Sequence, residues 1–514
     1  MLQTMRGLVA LAAISTLLST PAIASGASDD PFHWQPCSDA PSSPSIQCGF
    51  LTVPLNYINT HTNETIDIAV RRVQVPQSKG TILLNPGGPG SPGTSMATPE
   101  FASYLGGTHD ILGFDPRGVG ASRLLRCAPV PLATMLLPME SPETHQVWRD
   151  LGDACKAQDG VFMQSMSTAS VARDMELIRA ALGESTLNYL GISYGTYLGV
   201  TYANLFPDRV GQFVLDSNVD AMASTASFFR QLLRGIPEQE IMFQAFVTAC
   251  EEAGPVGCAL ADATATRPYV ADRIQSFVSQ VDATPITLAS GDVLTGNVVR
   301  FQMRSKPPSQ WPAVASQLSE WMAGRGQGLP QFSFGLEAMV YTANDSDDVV
   351  DINVAAEMAL AKVDSPIFGP FIVGFAWPVT LWRHSTAFER YTGPWNTHLR
   401  NPIVLVNNKV DPQTPLRGAQ HLAALLGDDN AILVTRDGYG HVALASEPSQ
   451  CLDRLIVDFF NHGTYPEAGT NCPVDETPFH LPVWPPLPTS TYYQGMAGLV
   501  AQAMSALLDI SQEN

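Results

Sequence analysis

Leu187-Asn188-Tyr189-Leu190-Gly191-Ile192-Ser193-Tyr194-Gly195 is the stretch whose reading decides the fold. Leu187 to Leu190 reads as a buried strand, and Thr196 to Asn204 reads as a helix behind it. Between them stands a G-x-S-x-G pattern. A serine on so sharp a strand-to-helix turn needs neighbours without bulk, and Gly191 and Gly195 provide that. The turn would lift the hydroxyl above the sheet at a helix N-terminus, where negative charge is stabilised. A bare five-residue match also occurs in plain glycine turns. Its weight depends on whether the chain supplies a base, an acid and an oxyanion hole.

Working outward, short apolar runs end in polar or glycine-rich loops at Thr81 to Asn85, Asp110 to Asp115, Phe213 to Ser217, Ile403 to Asn408 and Ala431 to Asp437. Such runs suit parallel strands buried on both faces, with helical patterns at Ser170 to Leu182 and Arg417 to Leu426 between some of them. Phe50 to Leu55 and Ile66 to Val73 read as two earlier strands, the second half exposed. The expectation is an α/β fold with a mostly parallel central sheet and its site beyond the carboxyl ends of the strands. Val219 to Arg400 breaks the rhythm with helical segments at Phe228 to Glu252, Arg267 to Val281 and Val314 to Met322. It is read as an inserted, mainly helical lid rich in aromatic residues. The expected division is a signal peptide over 1–24, a core over 25–218, the lid over 219–400, a second core part over 401–486 and a tail helix over 487–514.

A serine hydroxyl is a weak nucleophile without an adjacent base. Of the ten histidines, His441 fits best, in the loop Asp437-Gly438-Tyr439-Gly440-His441 after a strand. The base needs a carboxylate to fix its tautomer. Asp411, Asp216 and Asp437 all follow strands; Asp411 is favoured because it gives the chain order Ser, Asp, His, with Asp216 as the alternative acid. The oxyanion donors are expected to be the backbone N–H groups of Tyr194 and of Gly88, in the loop Asn85-Pro86-Gly87-Gly88-Pro89-Gly90. Asp115-Pro116-Arg117-Gly118 is read as structural, with Arg117 pairing a carboxylate.

With 45% hydrophobic and 15% charged residues, the 514-residue chain reads as folded with a sizeable core. A net charge of −20 argues against nucleic acid as a partner. Arg6, the apolar run Leu8 to Leu18 and Pro21-Ala22-Ile23-Ala24 read as a secretory signal. No later stretch reads as a membrane span, so a secreted protein free of the membrane after signal removal is expected. Eight cysteines in an exported chain fit four disulfides, and spacing suggests Cys37 with Cys48, Cys127 with Cys155, Cys250 with Cys258, and Cys451 with Cys472. Eight cysteines allow roughly a hundred pairings, so spacing alone leaves the connectivity open. None has metal-ligand spacing, and no metal or cofactor is expected. Asn63 and Asn344 open glycosylation sequons. The oligomeric state is not legible.

The loop Asn85 to Gly90, Asp115 to Ser122, Gly191 to Gly195, Asp411 to Pro415 and Gly440-His441 occur in an order that resembles the α/β-hydrolases of the proline iminopeptidase and tripeptidyl aminopeptidase group. Trp34-Gln35-Pro36-Cys37 with Cys48 through Tyr57 resembles the N-terminal segment of secreted members, and Cys451 through Phe479 the C-terminal region of the tripeptidyl branch. The resemblance implies an α/β-hydrolase fold, Ser193 as nucleophile, His441 as base, Asp411 as acid, and Gly88 and Tyr194 as oxyanion donors. It also implies cleavage at free N-termini, with acidic lid groups holding the ammonium. Glu238, Glu240, Glu251 and Glu252 are available for that. Proline iminopeptidases carry Gly and Trp beside the nucleophile, where this chain has Ile192 and Tyr194, which weakens the case for an N-terminal proline.

The expected function is a serine hydrolase of the aminopeptidase type, acting on a peptide. The alternative is a carboxylesterase or thioesterase acting on a small hydrophobic ester, because fold and triad do not set the substrate. A non-catalytic hydrolase-like binding protein would be expected to lose a triad position, and all three are filled here. Serine at 193 excludes a dehalogenase, which needs a carboxylate there.

Overall fold

The computed structural model describes residues 30–127, 141–266, 269–326, 335–347, 352–382, 387–475 and 479. The expected signal peptide and tail helix lie outside these residues. The strands in chain order are β1 (Gln35–Pro36), β2 (Ile46–Pro54), β3 (Thr65–Val73), β4 (Thr81–Asn85), β5 (Asp110–Phe114), β6 (Leu187–Ile192), β7 (Val210–Asp216), β8 (Ile286–Thr287), β9 (Val293–Leu294), β10 (Ile403–Val410), β11 (Ala431–Tyr439) and β12 (Asn471–Cys472). Ten of them form one sheet in the order β1-β2-β3-β5-β4-β6-β7-β10-β11-β12. It is antiparallel from β1 to β5 and parallel from β5 onward. This is the α/β-hydrolase architecture.

The apolar runs are explained by burial on both faces. Leu83, Tyr189, Leu215 and Leu405 enter one core, and Ile82, Leu84, Leu190, Val214 and Val404 enter the other. Successive side chains of a strand point to opposite faces, so a run with both sides covered must be apolar throughout. The helices α1 (Pro99–Tyr104), α2 (Pro142–Ser165), α3 (Thr168–Ala181) and α4 (Tyr194–Leu205) accompany the first half of the sheet. The strand order reverses between β4 and β6, whose registers align Asn85 with Gly191. A crevice opens at such a reversal. The loop after β4 and the serine turn after β6 therefore lie side by side.

Between β7 and β10 run α5 (Ala221–Ala226), α6 (Phe228–Leu233), α7 (Ile236–Gly257), α8 (Val270–Ala283), α9 (Gly296–Met303), α10 (Trp311–Met322), α11 (Leu336–Asp345), α12 (Val354–Asp364), α13 (Gly369–Ala376) and α14 (Pro378–Leu381), with β8 and β9 pairing antiparallel. The expected single helix over Phe228 to Glu252 is two helices. Pro237 suits the first turn of α7 but not a helix interior, and Gly235 just before it packs on the carbonyl of Pro412. A Cβ at Gly235 would stand 1.9 Å from that oxygen. Gly235→Ala is therefore expected to lower stability by about 1–3 kcal/mol in denaturant titration and to slow turnover by displacing the loop that carries Asp411.

The chain ends its described part with α15 (Leu416–Leu426) and α16 (Gln450–His462), whose Leu452, Ile456, Phe459 and Phe460 are buried at helical spacing. The disulfides are Cys37–Cys48, Cys127–Cys155, Cys250–Cys258 and Cys451–Cys472, the four local pairs that spacing suggests. Cys451–Cys472 ties α16 to β12, a short edge strand that the sequence pattern does not announce.

Candidate active site

Ser193 sits between β6 and α4 at φ 57° and ψ −121°, a conformation few L residues hold. Two glycines allow it. A Cβ on Gly191 would meet the Gly195 carbonyl at 2.4 Å, and a Cβ on Gly87 would meet the Ile192 carbonyl at 2.4 Å. The loop after β4 can therefore lie directly against the serine turn. Asn85 Oδ1 accepts from the Gly87 amide at 3.0 Å and shapes that loop. The Gly88 and Tyr194 amides find no acceptor among the described residues.

His441 Nδ1 lies 2.9 Å from Asp411 Oδ2 and 3.1 Å from Oδ1. The amides of Gln413 and Thr414 donate to Asp411 Oδ1 at 2.9 and 3.0 Å, and the Thr414 hydroxyl donates to Oδ2 at 2.7 Å. Burial pushes the Asp411 carboxyl up, but the His441 charge and these donors outweigh it, so its pKa falls below the usual carboxylate value. Thr414 Oγ1 also lies 3.3 Å from His441 Nδ1, a contact that sequence reasoning missed. Among the described residues the Ser193 hydroxyl has no hydrogen-bond partner, and such contacts often tighten only when substrate is bound.

Asp216 does not reach the imidazole. Its Oδ1 and Oδ2 accept from the Ala443 and Leu444 amides, each at 3.0 Å, and burial raises its pKa to about 6. Ser217 Oγ accepts from the Val442 amide at 2.9 Å. The end of β7 thus grips three successive amides after His441 and holds Val442 at φ 73°, which a β-branched residue rarely adopts. Asp437 faces outward to Lys409 and Asn471. Arg117 has the structural role expected of it: its guanidinium pairs with Asp174 at 2.6 Å, both side chains fully buried, and also donates to the Pro54 and Leu55 carbonyls.

A pocket of ≈ 620 Å³ of empty space opens beside Ser193, lined by Gly88, Pro89, Tyr194, Tyr197, Val219, Phe228, Leu232 and Asp345 among others. None of the four expected glutamates lines it. Glu238 faces Arg417, Glu240 accepts from the Ser365 hydroxyl, Glu251 accepts from the Tyr269 and Val270 amides, and Glu252 is exposed. The carboxylate at the wall is Asp345, which accepts from the Thr168 amide and hydroxyl; burial raises its pKa to about 7. Sequence reasoning passed over it as the middle of a sequon. That sequon requires correction. Asn344 is buried, and its Nδ2 donates to the carbonyls of Met163 and Met166 at 2.9 and 2.6 Å, so no glycan can be attached in the folded protein. Asn63 is exposed.

The sheet, the strained serine turn and the neighbouring histidine loop define an α/β-hydrolase. Residues 80–253 match the family described as the alpha/beta hydrolase fold, and residues 376–472 match the family described as TAP-like protein. The chain has the α/β-hydrolase fold, and its C-terminal region is similar to TAP-like proteins. It is 32% identical over 323 residues to the tripeptidyl aminopeptidase of Streptomyces coelicolor, a match covering 58% of this chain and 57% of that protein, little more than half its length. It is 28% identical over 502 residues to serine protease Hip1 of Mycobacterium tuberculosis, covering 86% and 91%. It is also 28% identical over 493 residues to carboxylesterase B of Mycobacterium tuberculosis, covering 85% and 89%. Among the described residues, no helix is long and apolar enough to cross a membrane, and no cluster of side chains could hold a metal ion.

Proposed function

We propose that the protein is a secreted exopeptidase that releases amino acids or short peptides from free N-termini through an acyl-enzyme. Ser193 Oγ attacks the scissile carbonyl while His441 Nε2 takes its proton. Asp411 fixes the proton on Nδ1 and stabilises the imidazolium. The Gly88 and Tyr194 amides receive the oxyanion. The imidazolium then protonates the leaving amine, and water repeats the sequence on the ester of Ser193. The observation that carries this reading is the hydrogen-bonded His441–Asp411 pair, whose partner Thr414 lines the same pocket as a serine held at positive φ. Four disulfides and the N-terminal pattern favour export. The segment 219–400 is proposed as the lid over the site.

Preference for an N-terminal ammonium is assigned to Asp345, the carboxylate that lines the pocket next to Tyr194 and Tyr197. A cation beside it would restore its ionised form in an apolar wall. Asp345→Asn is expected to cut kcat/KM on free-amine aminoacyl amides by tenfold or more and to spare neutral acetyl esters. In the wild type, kcat/KM on the amine substrates should fall below about pH 7 as Asp345 gains its proton, a loss of activity on the acid side beyond that of the neutral esters. Equal losses on amines and esters would remove Asp345 from substrate binding. The ester reading keeps one specific support, the apolar side chains of Val219, Phe228 and Leu232 in the pocket wall. Ester turnover with no amide turnover, free or blocked, would establish it instead.

A further inference from the structure

We infer that Arg304 forms an anion-binding edge on the leaving-group side of Ser193, so that substrates whose leaving portion carries a carboxylate are preferred. This rests on the roles proposed above for Ser193 and His441. Residues 304–310 form a strap between α9 and α10. It is fixed to the histidine loop at three points: Pro307 lies under Gly440, whose Cβ would stand 3.0 Å from Pro307 Cα; Ser309 Oγ donates to the Ser446 carbonyl at 2.8 Å; and Trp311 packs on Tyr439. The pocket described above is built from other elements, the Gly88–Pro89 loop, α6 and α11. His441 delivers its proton to the leaving group. A side chain carried by a strap on the histidine loop therefore stands on the leaving-group side.

The buried arginines have carboxylates, Arg117 with Asp174, Arg179 with Glu176 and Arg436 with Glu447, whereas Arg304 is half-buried. Among the described residues Arg304 has neither an ion pair nor a side-chain hydrogen bond. Its guanidinium lies 4.7 Å over the Phe375 ring. Stacking offsets part of the desolvation but leaves the N–H groups at the edge of the fork without acceptors among the described residues. Burial pulls its pKa down to about 10, against the opposing charge of Asp411. The neighbours supply donors too. Ser305, at φ 59°, donates its backbone N–H to Gln239 Oε1 at 3.1 Å, while Ser305 Oγ and Gln239 Nε2 are buried without partners among the described residues. Lys306 adds a second cation with no ion pair, its pKa lowered by burial. A strap so furnished with donors and with so few acceptors fits a carboxylate, which the guanidinium fork can receive through two bonds.

The test compares hydrolysis of 3-acetoxybenzoate with that of 3-acetoxybenzamide, which share an acetyl group and differ in the charge of the leaving phenol. Wild type should favour the benzoate in kcat/KM by about tenfold, Arg304→Gln should lose the preference, and Arg304→Lys should recover part of it. The ratio is internal, so a variant of reduced activity still reports. In unmodified protein, 3-hydroxybenzoate should inhibit more tightly than 3-hydroxybenzamide. Absence of both effects in wild type, or a preference that survives Arg304→Gln, overturns the proposal. Tetra-alanine as acid and as amide, and with glutamate or glutamine at the fourth position, then separates a terminal carboxylate from an acidic side chain. Because the esters need only the serine machinery, failure on peptides bears on the peptidase reading, and retained ester turnover in Ser193→Ala bears on the mechanism.

Discussion

Ser193→Ala is expected to lower kcat by about 10⁵–10⁶-fold on every substrate, the loss that follows when a nucleophile is deleted from a unit that works together. The variant should nevertheless fold, because among the described residues the hydroxyl makes no hydrogen bond that truncation would break, and the turn is held by other atoms. The Ser193 amide donates to the Asp216 carbonyl at 2.9 Å, and the Thr196 hydroxyl donates to the Ser193 carbonyl at 2.6 Å. A thermal midpoint within a few degrees of wild type, together with lost turnover, separates chemistry from folding. Ser193→Gly sharpens the test. Glycine adopts φ 57° without a Cβ penalty, so this inactive variant should be more stable than wild type by about 1 kcal/mol. The strain would then be shown to belong to function. Turnover retained in Ser193→Ala would end the acyl-enzyme proposal, whatever the fold.

Much of this was legible because local chemistry and global fold agree. The runs ending at Asn85, Ser193 and Asn408 are largely apolar because both sheet faces are covered, and that signal needs no tertiary knowledge. Loop glycines mark where backbone must approach backbone, as at Gly87 and Gly191. What stayed hidden depends on contacts between distant segments. Asp345 becomes a pocket residue only because α11 lies against Thr168, 177 positions earlier in the chain. The same contact buries Asn344, so a motif that reads as surface from three letters of local sequence is interior. The break between α6 and α7 has a local signal in Pro237, but the close seat of Gly235 on the Pro412 carbonyl is one that no helical periodicity can report. Asp216 and Asp411 both follow strands, and only the register of β7, β10 and the histidine loop decides which one faces the imidazole.

Exchanging those two carboxylates for amides is expected to give different failures. In Asp411→Asn the Gln413 and Thr414 amides still call for an acceptor at Oδ1, which holds the new amide oxygen there and turns Nδ2 toward His441 Nδ1. A donor facing Nδ1 selects the tautomer with its proton on Nε2, and that nitrogen can no longer take the proton of Ser193. A loss of about 10⁴-fold in kcat is expected, with the fold retained. Asp411 also contributes a pH signature. Its folded pKa lies below its unfolded value, so its stabilisation is present above about pH 4 and is lost as pH falls through the lower folded value. Asp411→Asn should flatten that acid limb. Asp216→Asn instead leaves one of the Ala443 and Leu444 amides without its acceptor, loosening the loop that carries His441. Stability should fall by about 1–3 kcal/mol, and kcat by only about tenfold through misplacement of the base. The sign of its pH dependence is the opposite one. Asp216 keeps its proton in the folded state up to about pH 6, so wild-type stability declines from this group between about pH 4 and pH 6 as only the unfolded chain ionises. That decline should vanish in Asp216→Asn. If Asp216→Asn instead abolished turnover and Asp411→Asn kept it, the acid of the triad would be Asp216, and the hydrogen bond from His441 to Asp411 would not be the catalytic one.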